Sequence, residues 1–171
     1  VNDACNQVLK NKRLLELLND SIREKPFYII DDKTKINLKL KPDCICNNFN
    51  TIIDFKTTTS FESFRYDMFK YKYNISAAFY QKYLKKENYL FVAIKKEKPV
   101  EIDFYQFSDT IIEKTKEDIE MYLDLLYFCK ENNYYPTSNE FYIMKECYKL
   151  GNLNEFFNII KNSNPNINIV S

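Results

Sequence analysis

The sequence has no histidine, no tryptophan and a single glycine among its 171 residues. Without histidine, and with five cysteines at positions 5, 44, 46, 129 and 147 that form no C-x-x-C pair, it lacks the ligands for a zinc centre. Cys44 and Cys46 lie two apart, on one face of any strand, a poor geometry for a mutual disulfide. Free thiols in a reducing, intracellular setting are therefore expected. No secretory segment and no membrane-length apolar run is present, so membrane association is not expected. An excess of one charge is missing too: 25 Lys and Arg stand against 24 Asp and Glu. A net charge of +1 gives no general attraction to a polyanion, so any nucleic-acid surface must be a local patch. The chain starts at Val1 rather than Met, and a longer protein is the expectation.

The residues that are there suit one globular domain, with 45% hydrophobic and 29% charged side chains. Fourteen Tyr and fourteen Phe, with abundant Asn, Lys and Ile, read as a bias toward AT-rich codons. From Asp3 to Glu24 the apolar positions recur at helical spacing until Pro26 blocks continuation, which predicts one amphipathic helix. Phe27 to Ile30 and Lys35 to Lys41 flank a polar turn and predict a hairpin with one wet face. After Pro42, Asp43 to Cys46 leads through an Asn-rich turn into a strand over 51–56. Two helices over 60–72 and 74–86, strands over 89–94 and 100–107, and a long helix capped by Ser108 follow. The predicted stripe of that helix runs Ile112, Thr115, Ile119, Tyr122, Leu126 and Cys129. The order is helix, three strands, helices, two strands, helix, an α/β sandwich. Residues 138–171 predict one or two short helices around Gly151 with a polar Asn-Pro-Asn tail.

Side chains alternate across a strand, so Asp54 and Lys56 share a face. Asn37, Lys39, Lys41 and Asp43 also share parity. Closure of the chain through the Asn-rich turn would therefore gather two carboxylates and a lysine on one polar patch. Hard oxygen ligands from a few carboxylates hold Mg²⁺ while leaving positions for water and phosphate, and the Phe55 carbonyl offers a further ligand. A neighbouring lysine can orient or help deprotonate a water, or neutralise charge on a phosphate. Taken alone, a D-x-K on a strand is usually a solvated ion pair, and only its context makes it specific.

That context is the run Lys39-Leu40-Lys41-Pro42-Asp43, then Asp54-Phe55-Lys56-Thr57-Thr58 eleven residues on, then Tyr73-Asn74-Ile75-Ser76-Ala77-Ala78-Phe79-Tyr80. It resembles the RecE-type (exodeoxyribonuclease VIII-like) branch of the PD-(D/E)XK nuclease superfamily, whose runs are roughly K-x-R-P-D, I-I-D-x-K-T-T and Y-x-x-Q-A-A-x-Y. The likeness continues through Phe91-Val92-Ala93 and Lys98-Pro99-Val100 to Tyr134-Tyr135-Pro136 and leaves the last part of the chain unmatched. The resemblance implies an α/β fold with a central mixed β-sheet flanked by α-helices, over a nuclease domain at 1–137 with a C-terminal helical extension at 138–171. It implies a Mg²⁺-dependent deoxyribonuclease, with Mn²⁺ able to substitute, acting as an exonuclease on duplex ends in recombination or repair. Asp43 and Asp54 would be the metal ligands and Lys56 the catalytic lysine, with Glu24 a further acidic candidate from the first strand. Lys39, Lys41, Thr57, Thr58, Ser76 and Tyr80 would meet DNA.

The chain departs from the family in two ways. Ser76 stands where the family has glutamine, which shortens or removes a contact to substrate or lysine. The metal-binding histidine that the family supplies from an upstream helix has no counterpart and would have to precede Val1. Only Cys129 and Cys147 lie in the C-terminal half, which rules out the iron–sulfur branch of the superfamily. The relatives imply a homo-oligomer that travels along DNA, a recombination partner protein, and a cytoplasmic or nucleoid-associated location. A degenerate nuclease fold that binds DNA or a protein without cutting is the alternative. Aromatics and bases interleave from Phe61 to Tyr73, as a single-strand-binding surface would. Phe61, Phe64 and Met68 at i, i+3, i+7 predict that most of these rings are core, with Arg65, Lys70 and Lys72 left to reach phosphate.

Overall fold

A computed structural model describes residues 2–163, so the expected Asn-Pro-Asn tail lies outside the described residues. The single N-terminal helix expected over 3–24 is instead two, α1 (Asn2–Lys10) and α2 (Lys12–Asn19), followed by a strand, β1 (Ser21–Arg23). Asn11 breaks the helix: its backbone is extended, and its side chain accepts the Leu14 amide as the cap of α2. The strand escapes a local reading because its pairing partner, Cys44–Cys46, lies some twenty residues away.

Strands β2 (Phe27–Ile30) and β3 (Asn37–Leu40) form the expected hairpin, but as a separate two-stranded sheet. Leu38 and Leu40 are buried while Asn37 and Lys39 are exposed, which gives the wet face. Pro42, which has no N–H for a ladder, separates β3 from β4 (Cys44–Cys46). Asp43 and Lys39 therefore serve different sheets, and their shared parity has no structural meaning.

The main sheet has the order β1-β4-β5-β6-β7, where β5 is Thr51–Thr58, β6 is Asn88–Lys95 and β7 is Ile102–Tyr105. All pairs are antiparallel except β5 with β6. Asn50, in the left-handed region at φ 48°, closes the short link from β4 to β5; a short polar side chain tolerates that conformation well. The parallel step from β5 to β6 needs a crossover, supplied by α3 (Phe61–Lys70) and α4 (Tyr73–Leu84). Leu14 of α2 packs with Cys44, Cys46, Ile53 and Val92 on one face of the sheet. Against the other, Tyr73 of α4 stacks on Phe91 and Phe64 of α3 lies against Tyr105. Helices on both faces explain the nearly continuous apolar run of β6.

The chain divides into two compact units, residues 2–30 with 37–117, and residues 31–36 with 118–163. The division falls inside α5 (Asp109–Glu131), and the structure departs there from the predicted stripe. Ile112, Thr115, Ile119 and Cys129 are buried as expected, but Tyr122 and Leu126 are exposed. Met121 and Leu125 are buried in their place, in the second unit's cluster with Met144, Cys147, Phe156 and Ile160. Within that unit Thr137 and Glu140 form a capping box that starts α6 (Ser138–Lys149), Gly151 takes a left-handed φ of 73°, and α7 (Phe156–Ser163) follows. All five cysteines are free thiols. Among the described residues no helix is long and apolar enough to cross a membrane.

Candidate active site

The β4–β5 register pairs Cys44 with Ile53 and, extended by one residue, sets Asp43 directly opposite Asp54. Directly opposed residues of an antiparallel pair share a face, and Lys56, two residues on, shares it as well. Asp43 is fixed from two sides: its Oδ2 accepts the Phe55 amide at 2.8 Å and its carbonyl accepts the Glu24 amide at 3.0 Å. In a strand the N–H and C=O of one residue point to the same edge, so the Phe55 carbonyl is also directed toward Asp43 rather than toward β6.

Asp54 is more enclosed than Lys56, its side chain 14% exposed against 28%. Its Oδ1 accepts the Tyr89 hydroxyl at 3.2 Å. Its Oδ2 is buried and ion-paired with the Lys56 ammonium, which leaves a lone pair of that oxygen without a partner. The proximity of the ammonium sets the local charge, and the remaining lone pair could be given to a cation. Burial pushes the Asp54 carboxyl above its ordinary pKa and the Asp43 carboxylate adds to this, while Lys56 and Tyr89 pull it back. The Tyr89 phenol is held far above its usual range by burial and by Asp54, so it remains a proton donor. Lys56 Nζ lies 5.3 Å from the centre of the Tyr73 ring, a cation–π contact that holds it over the site.

These groups fit a hard, oxygen-ligated divalent cation. Two carboxylates face each other, one of them buried with acceptor capacity to spare, and a cation between them would relieve their repulsion. Among the described residues no group of three or more His, Cys, Asp or Glu side chains could hold a metal. Two carboxylates and a backbone carbonyl would leave the remaining positions of such an ion to water. Glu24 is a backbone neighbour of Asp43, but its carboxylate is 61% exposed and paired with Lys41, which raises the lysine's pKa. It does not join Asp43 and Asp54 in a three-carboxylate group.

Tyr80 acts on the chain ahead of Asp43, its hydroxyl accepting the Lys41 amide at 3.3 Å. Tyr73, Ser76 and Tyr80 recur at i, i+3 and i+7, so the exposed Ser76 sits on the stripe of α4 that faces Lys56 and Lys41. A longer side chain at 76 would reach toward the site. Sequence reasoning missed Tyr73 and Tyr89; the seven-residue spacing of Tyr73 and Tyr80 was the available signal for the first.

Other expected DNA contacts lie apart from the carboxylates. Thr58 is buried and its hydroxyl donates to the Ser60 carbonyl at 2.8 Å, while Thr57 is exposed and alternates away from Lys56. Arg65 lies over Tyr105 of the edge strand β7 at 5.8 Å, and Lys72 is exposed at the start of α4. Lys39 stands over Tyr28 on the outer face of the hairpin at 5.7 Å. A cavity of about 430 Å³, lined by Arg13, Leu17, Phe49, Thr51 and Leu90, opens at the start of β5 and takes in none of the site residues.

A mixed five-stranded sheet flanked by helices, with opposed aspartates and a D-x-K on adjoining strands, defines the PD-(D/E)XK class. The chain belongs to the family described as a PDDEXK-like domain of unknown function (DUF3799), whose model matches residues 1–145. A crystal structure from Eubacterium rectale, described as a candidate exonuclease, shares the fold with a TM-score of 0.62 and 13% identity. The match covers 79% of this chain and 54% of that one, so the present chain spans about half the length of that relative. A crystal structure of SSO0001 is more remote, with a TM-score of 0.43 and 18% identity over 69% of this chain and 58% of that one. No curated protein sequence matches the chain.

Proposed function

We propose that the protein is a divalent-metal-dependent deoxyribonuclease. The observation that carries this reading is the opposition of Asp43 and Asp54 with Lys56 two residues on, one buried carboxylate oxygen retaining acceptor capacity. Asp43, Asp54 and the Phe55 carbonyl would hold Mg²⁺, or Mn²⁺ in its place; such an ion, when bound, polarises a phosphate and acidifies a water. Lys56 orients the attacking water and neutralises charge on the phosphate. Tyr73 and Tyr89 hold Lys56 and Asp54 in place for these roles. The assignment falls within a nuclease domain over residues 1–137, with 138–171 as an extension.

Exonucleolytic action on duplex ends, a recombination or repair role, a homo-oligomeric state and a cytoplasmic or nucleoid location rest on the RecE-type resemblance. The description of the Eubacterium rectale protein agrees with the exonuclease part. Ser76, which stands where the family has glutamine, favours, as second reading, a DNA-binding module that does not cut. End-labelled linear duplex and closed circular DNA, incubated with Mg²⁺, Mn²⁺ or EDTA, separate these. The nuclease reading expects metal-dependent loss of the linear DNA; an intact circle marks an exonuclease, and a cut circle an endonuclease on the same fold. Cleavage undiminished by EDTA, or no cleavage with any metal, overturns it.

A further inference from the structure

Three large aromatic side chains within six residues face solvent: Tyr66 at 72%, Phe69 at 55% and Tyr71 at 56% exposure. This corrects the expectation that most rings of the stretch are core. Only Phe64 and Met68, four residues apart on one side of α3, are buried, because the sheet covers just that side of the helix. Isolated exposed apolar residues are ordinary, but three exposed rings within six residues of one helix and its cap mark an interaction surface.

The row is interleaved with cations and its rings are braced. Arg65, Tyr66, Phe69 and Lys70 share the outward side of α3 at i, i+1, i+4 and i+5, and Lys72 follows; three bases stand against Glu62 and Asp67. Phe69 is fixed edge-on to Phe107 at 5.4 Å, and Lys70 Nζ lies 5.3 Å over the Tyr71 ring. Beside Phe69 opens a cleft of about 420 Å³, lined in part by Arg65, Tyr105 and Phe107. The other end of the row runs into the candidate active site: the Tyr71 ring is 6.0 Å from that of Tyr73, which lies 5.3 Å from Lys56 Nζ. Rings that accept any base face, alternating with cations that track a backbone, suit an unpaired strand rather than a duplex, whose bases are stacked on each other.

The geometry points to a track for single-stranded DNA across α3, from Phe69 over Tyr71 to Lys56. It rests on the nuclease reading of that site and makes the unpaired strand the part of the substrate that the enzyme grips. The test measures binding of a labelled oligothymidylate of about 20 nucleotides to the full chain in EDTA, where no cleavage occurs. Removing both rings in Phe69→Ala/Tyr71→Ala should weaken oligothymidylate binding about tenfold or more, on the scale of lost base stacking, with blunt duplex affected far less. Tyr71→Phe, which keeps the ring, should bind as the parent does, and Lys70→Gln should flatten the salt dependence. Oligothymidylate binding by the double variant within about twofold of the parent would overturn the track, as would a parent that binds no single strand. So would light scattering in which the double variant loses an oligomer while its single-strand affinity holds, since the face would then join copies of the chain. The nuclease reading stands or falls separately, on cleavage by Asp54→Asn.

Discussion

The two faces of β5 carry opposite duties. Ile53 and Phe55 point toward α1 and α2, where Ile53 is fully buried beside Leu14, Cys44, Cys46 and Val92. Asp54 and Lys56 point toward α4, into a polar notch roofed by Tyr73 and Tyr89. Strand alternation places these side chains one residue apart in sequence and on opposite sides of the sheet. The apolar face contributes free energy of folding, whereas the polar face costs some, because a carboxylate is held out of water. Changes on the two faces should therefore move different observables.

The largest effect is expected from Asp54→Asn, which should abolish metal-dependent cleavage of linear DNA in an end-label assay. A carboxyl whose pKa is higher folded than unfolded binds its proton more tightly in the fold. Its charge then opposes folding at neutral pH, and the cost fades as pH falls through the folded pKa and below the unfolded one. Burial places Asp54 in this class. Without divalent metal, Asp54→Asn should thus melt no lower than the parent at pH 7, and a clear drop would contradict the proposed energetics. Lys56→Ala should leave metal affinity near the parent's and slow turnover by about a hundredfold or more. Cleavage at the parental rate would sink the assignment of Lys56. On the other face, Ile53→Ala should lower unfolding free energy by about 2–5 kcal/mol, read in a urea titration, with the folded fraction cutting normally.

Alternation made this division visible in the sequence, since it needs only the period of a strand. The pairing of Asp43 with Asp54 was legible for a related reason: the two lie on either side of a short polar turn, and a hairpin brings its ends together. What remained hidden depends on partners distant in the chain. Ser21 to Arg23 is a strand only because Cys44 to Cys46 lies beside it, and helical spacing through Leu18 masked the change. Ile22 offered no warning, since an isoleucine there suits the end of an apolar helical stripe as well as a strand. Tyr89 and Tyr73 reach the site through the parallel crossover, whose register no local pattern specifies. Tyr122 and Leu126 were misplaced because Met121 and Leu125 are the residues that join the cluster of Met144, Cys147 and Phe156, partners later in the chain that no local period reveals.

The smallest expected effect separates the two lysine–carboxylate pairs near the site. Lys56 with Asp54 is largely enclosed, whereas Lys41 with Glu24 is more than half exposed on both sides. Water and salt screen the outer pair, so it adds little to stability, and its main consequence is to occupy a cation beside the site. Glu24→Gln removes the partner's charge and leaves Lys41 available to a phosphate. DNA affinity, measured by anisotropy at low salt, should rise a few-fold, and the plot of log affinity against log salt should steepen by about one phosphate contact. Lys41→Ala should do the reverse, and in the double variant Glu24→Gln should bring no gain. A gain from Glu24→Gln that persists without Lys41 would mean that the carboxylate repels DNA directly, and the pair would have no gating role. Unchanged melting in both single variants, set beside the loss from Ile53→Ala, would complete the contrast between groups that serve the fold and groups that serve the substrate.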